Sequence, residues 1–404
     1  MISVDEALTR LLALVDTLPP EQIALADGLG RVLAEDVAAR RTQPPFAVSA
    51  MDGYAVRAAD LGRVPVELRI VAEVPAGAGF GGRVGDGEAA RIFTGAPMPA
   101  GTDTVVIQED TERHGDRVRI LEAARQGRYV RREGLDFAEG DALLHAGRRL
   151  TARDIGLIAA MNRPWLFVRR RPRIGILSTG DEIVMPGDPI GPHQIVSSNS
   201  LALGAVVAAC GGVAVSVGNA PDDPEALRRI AAATRGVDLL VTTGGASVGE
   251  HDLVREVLAK DGFDLDFWQI AMRPGKPLMV GRYRGTPMLG LPGNPVSTVV
   301  CAMLFLVPAI ERLSGAATSE GPMASARLGA PLAANDRRQD YLRARLVRAA
   351  DGIDEVFPFE AQDSSMMRLL AAADCLVMRP PHAPPAAAGE IVPIVRFPSG
   401  ALPI

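Results

Sequence analysis

From Arg173 to about Gly315 the chain alternates strand-like and helix-like segments, and this alternation constrains the fold more than any other feature. RIGILSTG, SLALGAVVAACGG, VAVSVGNA, DPEALRRIAAATRG, VDLLVTTGG and DLVREVLAKDG follow one another. Short apolar runs that end in Thr or Gly read as buried strands, and the longer segments between them as helical crossovers. The order predicts a parallel sheet covered by helices. It continues through PLMVGRY, TPMLGLPG and an apolar helix ending near Gly315.

Ligands of such sheets bind beyond the carboxyl ends of the strands, and here those ends are polar. The first strand runs into Ser178, Thr179, Gly180, Asp181 and Glu182; the third runs into Thr242 to Asp252, with Gly244, Gly245 and Ser247 in the loop. Glycines let backbone N–H groups approach an anion, hydroxyls add donors, and a following helix N-terminus adds positive potential. These loops suit a phosphate, with Asp181, Glu182 and Asp252 available for an accompanying magnesium. Plain turns and helix caps also fit each loop taken singly.

Two further loops carry charge or caps. In Arg273-Pro274-Gly275-Lys276-Pro277, prolines on both sides of Lys276 stiffen the presentation of two cations, which suits an oxyanion as well as plain surface solvation. Leu291-Pro292-Gly293-Asn294-Pro295-Val296-Ser297 opens the apolar helix, where Pro295 fits the first turn and Ser297 sits where its hydroxyl and nearby free N–H groups can face an anion, although capping alone also fits.

The rest of the chain reads differently. MISVDEALTRLLALVDTL has no cationic leader region, and Ser3 with Glu6 has capping-box spacing, so an amphipathic helix is predicted there. Residues from about 20 to 150 are rich in Gly, Pro, Val and Arg, with alternating runs at 64–74 and 116–121 that predict short antiparallel strands. Thr151 to Met161 reads as a second helix, and the tail from about 324 returns to short strands and prolines. The 404 residues exceed a single core and imply several domains. A net charge of −5 leaves no basic footprint for nucleic acid. Cys210, Cys301 and Cys375 are dispersed without a CxxC, as free thiols of a reducing cytoplasm would be. The apolar run from Val296 to Ile310 contains Ser297 and Pro308 and reads as a core helix rather than a membrane span.

Three motif matches are set aside. Gly77 to Gly82 fits GxGxxG but precedes no helix, and Lys276 lacks the Ser or Thr of a P-loop. Gly245 to Gly249 fits a serine nucleophile elbow, yet His382 is the only distant partner for it.

SAMDGYA (49–55), IFTGAPMPAGTDTVV (92–106), STGDE (178–182), SNS (198–200), TTGGASVGEHD (242–252), RPGKP (273–277) and GLPGNPVS (290–297) occur in that order. Together they resemble the MoeA family, the molybdopterin molybdenumtransferases related to the gephyrin E-domain. The resemblance implies molybdenum cofactor biosynthesis: insertion of molybdate into adenylylated molybdopterin, with magnesium-dependent release of AMP. It implies a multidomain α/β plus β fold: a discontinuous helical domain (1–20 and 140–172), a β-rich domain (21–139), a molybdopterin-binding α/β domain (173–320) and a C-terminal β-barrel (321–404). A cytoplasmic homodimer is implied, with molybdopterin adenylyltransferase and apo-molybdoenzymes as transient partners and no nucleic acid or membrane.

Carried over by motif, the resemblance gives functional roles to Asp52, Thr94, Asp136, Glu182, Asp222 and Asp252, with magnesium on Asp252 and Glu182. Ser178, Thr179, Gly180, Gly244, Gly245, Ser247, Pro292 and Pro295 fall to the pterin substrate. Arg273, Lys276, Pro277, Ser297, Arg343 and Ser365 fall to molybdate. The SAMDGYA loop is expected to serve the cleft of the second subunit. Arg273 stands where many relatives have lysine, and Gln269 replaces a common lysine, which removes one cation.

Overall fold

The computed structural model describes residues 1–232, 234, 236–244, 257–317 and 323–397. The chain divides into two compact units: Met1–Glu35 with Ala146–Ala152 and Phe167–Ile404, and Asp36–His145 with Arg153–Leu166.

The smaller unit is built on a six-stranded sheet of β1 (Gly53–Val56), β2 (Val66–Val74), β3 (Glu88–Ile92), β4 (Thr104–Ile107), β5 (Thr111–His114) and β6 (Arg117–Ile120), in the order β4-β1-β3-β2-β6-β5. Its hairpins are antiparallel as the alternating runs predict, but β2 and β3 pair in parallel. The physical reason is the 75–87 connection, which is too long for a tight hairpin and returns the chain to the same end of the sheet. The glycines of the discarded GxGxxG match lie in this connection. Both faces of the sheet are apolar: Tyr54, Val56, Leu68 and Val118 pack on one side, and Ala55, Val74, Ile92 and Val105 on the other. Gly53 is a steric requirement, since a Cβ there would lie 2.0 Å from the carbonyl oxygen of Val106 on β4.

The larger unit opens with α1 (Val4–Leu14), capped where Ser3 Oγ accepts from Glu6 N at 3.1 Å. The second half of the expected capping box is absent, because the Glu6 carboxylate turns to Arg10 at 3.5 Å. Val4, Ala7 and Leu11 join the core of the following α/β sheet, and Arg10 pairs with Asp266 on its edge strand.

That sheet contains β7 (Arg173–Thr179), β8 (Val213–Ala220), β9 (Leu239–Thr243), β10 (Phe263–Gln269), β11 (Pro277–Tyr283) and β12 (Thr286–Leu291), ordered β8-β7-β9-β12-β11-β10. The first four in that order are parallel, whereas β11 runs antiparallel to both β12 and β10. A two-residue turn explains the reversal: Arg284 and Gly285 both have positive φ, +48° and +86°, which joins Tyr283 to Thr286 as a tight hairpin.

Covering helices include α2 (Asn199–Ala209), α3 (Pro224–Ala232) and α4 (Pro295–Leu313). Helix α4 is long and apolar enough to cross a membrane, but Val300, Phe305, Ala309 and Ile310 are buried in the core it shares with α1 and the sheet. It widens to a π-turn over Ala302–Leu306 just before Pro308, which has no N–H to give to the preceding turn.

The C-terminal strands β13 (Met323–Leu328), β14 (Gln339–Arg348), β15 (Asp354–Pro358), β16 (Cys375–Arg379) and β17 (Ile391–Arg396) close into a five-stranded barrel, in the ring β14-β15-β13-β17-β16-β14. Ala344, Val356, Val377 and Ile394 fill it. The fold is the multidomain α/β and β arrangement that the sequence predicts.

Candidate active site

The carboxyl ends of β7 and β9 open into a cleft of about 680 Å³. Ser178 and Thr179 come from the end of β7, Gly180 and Glu182 from the loop after it, Asp222 from the loop after β8, and Thr243 and Gly244 from the end of β9. Pro292, Gly293, Asn294 and Pro295 border it at the start of α4, Pro277 at the start of β11, and Ser365 from the barrel side. Ten of the residues singled out from sequence therefore meet here: Ser178, Thr179, Gly180, Glu182, Asp222, Gly244, Pro277, Pro292, Pro295 and Ser365. Gly245, Ser247 and Asp252 lie outside the described residues.

Glycine is what lets these loops approach. Gly244 has φ +88°, and a Cβ on it would lie 2.6 Å from the carbonyl oxygen of Thr179. Gly180, at φ +131°, sits under the Glu182 carboxylate, which a Cβ would meet at 2.4 Å. Asp222 N donates to Asp181 Oδ1 at 3.1 Å, so Asp181 serves to hold the neighbouring loop. Thr179 Oγ1 is buried at the cleft wall and has no hydrogen-bond partner among the described residues.

Asn199, at the start of α2, was not picked out from sequence, although it lies in the SNS motif. Its Nδ2 donates to Thr243 Oγ1 at 2.9 Å and to the Gly293 carbonyl at 2.7 Å. Thr298 Oγ1 donates to the Pro292 carbonyl at 2.6 Å, so three loops are held at fixed spacing. A polar residue at a helix start beside two strand ends was the available signal; its partners depend on the sheet order.

The residues assigned to molybdate separate. Arg343 is buried, and its guanidinium donates to the Asp363 carbonyl at 2.9 Å, the Met366 carbonyl at 3.2 Å, the Ala361 carbonyl at 3.4 Å and Gln362 Oε1 at 3.3 Å. Burial lowers its pKa. Arg343 thus shapes the 361–366 loop that presents Ser365. That loop is tied to α4, with Val296 N donating to the Ser364 carbonyl at 3.1 Å and Asn294 Nδ2 to Ser364 Oγ at 3.0 Å. Ser365 Oγ and N both donate to Asp363 Oδ1, at 2.5 and 2.8 Å, which holds the Asp363 carboxyl below its ordinary pKa.

Arg273 pairs with Asp340 and reaches Asp336 at 3.4 Å and Asn335 at 3.3 Å, beside the barrel and outside the cleft lining. The hydrogen bond to Asp340 raises its pKa. Lys276 is half-buried and Ser297 is buried in the first turn of α4; neither lines the cleft, although their neighbours Pro277 and Pro295 do.

In the smaller unit, Asp52 Oδ1 accepts from Thr94 N at 2.7 Å and from Thr94 Oγ1 at 2.8 Å. The amide bond first and the hydroxyl second lower the Asp52 pKa, so the acid stays ionised to lower pH than usual. Asp136 borders a separate cavity of that unit, about 700 Å³, together with Arg41 and Arg131. Thr94→Val should raise the Asp52 pKa while leaving part of the depression, because the amide donor remains. Any stability that Asp52 contributes is present above its unfolded pKa and is lost as pH falls through the folded value, so the variant should lose it at higher pH. Carboxyl-carbon NMR titration reads this directly, and an unchanged Asp52 midpoint would show the hydroxyl to be unimportant.

Three family models match the chain: the MoeA N-terminal region (domains I and II) over residues 2–162, a probable molybdopterin binding domain over 175–312, and the MoeA C-terminal region (domain IV) over 325–397. A molybdopterin molybdenumtransferase of Nostoc sp. is 38% identical, covering 91% of this chain and 87% of the relative. Molybdopterin molybdenumtransferase 2 of Mycobacterium tuberculosis is 35% identical, covering 96% of this chain and 98% of the relative. A molybdopterin biosynthesis MoeA protein of Pyrococcus horikoshii has a solved structure that superposes with a TM-score of 0.85 at 32% identity, over 99% of this chain and 100% of that one. With its cleft at the sheet edge, its closed barrel and relatives matched along nearly their whole length, the chain belongs to the MoeA family of molybdopterin molybdenumtransferases.

Proposed function

We propose that this chain inserts molybdate into adenylylated molybdopterin in the cytoplasm, releasing AMP and completing molybdenum cofactor. The observation that carries this reading is the cleft itself. It gathers the hydroxyl-bearing side chains of Ser178 and Thr179, the glycine turns at Gly180, Gly244 and Gly293, and the carboxylates of Glu182 and Asp222 around one space large enough for a nucleotide-sized ligand. A tetrahedral dianion and a pyrophosphate both need such donors.

Within this reading, the Ser178–Gly180 and Gly244 loops bind the phosphate-bearing pterin. Lys276 brings positive charge to the edge where Pro277 enters the cleft, and Ser365 offers its oxygen from the opposite wall. Asn199 keeps the loops at working distance. The donor chemistry fits magnesium: that ion commonly uses one or two carboxylates and completes its shell with phosphate oxygens and water. Glu182 and Asp222 would hold it, and Asp252 is the third candidate. Among the described residues no three His, Cys, Asp or Glu side chains gather into a group that could hold a metal ion. When bound, magnesium offsets the charge of the pyrophosphate. We extend the proposal to a homodimer that receives substrate from a molybdopterin adenylyltransferase and passes product to apo-molybdoenzymes.

The test supplies adenylylated molybdopterin, magnesium and molybdate to the purified chain and reads AMP release together with reconstitution of an apo-molybdoenzyme. AMP without reconstitution, or neither, would sink the proposal. Thr179→Val sharpens it. Replacing an unpartnered buried hydroxyl with a methyl should leave the free protein equally or slightly more stable. If the substrate satisfies that hydroxyl, KM should rise by about three- to tenfold, the value of a neutral hydrogen bond. An unchanged KM would move the substrate away from Thr179.

A further inference from the structure

Near its carboxyl end β8 slips by one residue against β7. Ser216 is in register with Ile176, but Gly218, not Val217, is in register with Leu177. Gly218 takes up the irregularity at φ +106°. With strict alternation Asn219 would share the face of Val215 and Val217; the extra residue instead puts it in register with Ser178 at the cleft wall.

There the half-buried Asn219 amide closes on the turn after β7. Its Nδ2 donates to the Gly180 carbonyl at 3.0 Å and to the Ile183 carbonyl at 3.4 Å, the two ends of the turn that carries Glu182. Turned over, the amide would set its oxygen against two carbonyl oxygens, so the orientation is fixed by chemistry. Other bonds run between the same two segments. Gly180 N donates to the Ala220 carbonyl at 3.1 Å, and Asp222 N to Asp181 Oδ1 at 3.1 Å. The 180–183 turn and the 219–222 segment are therefore clasped together, and each carries one cleft carboxylate, Glu182 on the first and Asp222 on the second.

We propose that Asn219 is a positioning residue: it fixes the Glu182 carboxylate relative to that of Asp222 and so sets the preference of the cleft for a small divalent cation. The proposal rests on the reading that these two acids hold magnesium. Magnesium demands near-ideal octahedral geometry at short distance, whereas calcium accepts longer and less regular shells. A pair of carboxylates held at one spacing favours the stricter ion, and a loosened pair loses that advantage.

The test titrates magnesium and calcium by calorimetry into the full chain with AMP present, for wild type, Asn219→Leu, Asn219→Ala and, as a control on the site, Glu182→Gln. Asn219→Leu keeps the bulk and removes both donors. It should weaken magnesium by about three- to tenfold, the value of a neutral hydrogen bond, and calcium by less. Hydrogen exchange at the Ile183 and Asp222 amides should quicken, while exchange at Ile176 within β7 stays as in wild type. Asn219→Ala should behave alike, and in turnover the magnesium requirement should rise with the molybdate requirement unchanged. If wild type binds no magnesium, or Glu182→Gln binds it equally well, the magnesium reading fails and this proposal with it. If that control behaves as read but both Asn219 variants keep the wild-type ratio of magnesium to calcium affinity, or their Ile183 and Asp222 amides stay protected, the reading stands and the positioning role is wrong. Faster exchange at Ile176 in both variants would make Asn219 a support of the sheet and would also overturn it.

Discussion

Arg343→Ala is expected to abolish most of the transferase activity and to loosen the 361–366 loop at the same time. Four acceptors converge on this buried guanidinium, three of them backbone carbonyls of that loop. Truncation leaves them without their donor, and several unsatisfied groups at once put the loss at about 3 kcal/mol, reduced where the loop can open to water. The change should appear as faster hydrogen exchange at the Val296 amide, which donates to Ser364, and at Ser365, whose amide is held by Asp363. Arg343→Lys keeps the charge but cannot span the same acceptors and should fall between wild type and alanine. Ser365→Ala should lower activity without changing exchange at Val296. If Arg343→Ala instead raises the molybdate requirement while both amides stay protected, the guanidinium touches the oxyanion and the positioning role is wrong.

This residue also marks where sequence reasoning stops. An arginine in a strand near the C-terminus can be assigned to an anion by resemblance, but its surroundings depend on how a loop some twenty positions later folds back over it. The strands themselves were easier to read. RIGILSTG and VDLLVTTGG became β7 and β9, with their polar ends at the cleft, because apolar runs ending in Thr and Gly have a physical cause in burial and turn geometry. The pattern does not distinguish a parallel strand from an antiparallel one: β12 lies in the parallel set as expected, whereas β11 runs antiparallel to it. Their two-residue Arg284-Gly285 turn carried that information. Likewise, alternation at 64–74 fixed the existence of β2, while its parallel partner followed from the length of the next connection. The Asn199–Thr243 contact was illegible for the same reason as the surroundings of Arg343: the hydrogen bond joins elements far apart in sequence.

Gly275→Ala should be the most damaging single methyl near the cleft. Gly275 is buried within RPGKP at φ +112°, a region that side chains rarely tolerate, and an added Cβ would lie 2.5 Å from Cys301 Sγ and 3.2 Å from the Met272 side chain. Cys301 is buried in α4 and has no room to retreat. Backbone strain and overpacking together should cost roughly 2 to 5 kcal/mol. Because this loop carries Lys276 and leads into Pro277 at the cleft, molybdate use should fall as stability falls. The two causes can be separated. Cys301→Ala removes the sulfur and by itself should cost about 1 kcal/mol for the small cavity it leaves. Combined with Gly275→Ala it relieves the clash but not the φ strain, so the double variant should be more stable than the sum of the single losses by about 1 kcal/mol or more. Simple additivity would mean that the methyl finds space elsewhere and that backbone conformation alone makes position 275 a glycine. If the double variant recovers stability without molybdate affinity, the residual φ strain is enough to misplace Lys276, and the stiffness read from its two flanking prolines extends to the glycine between them.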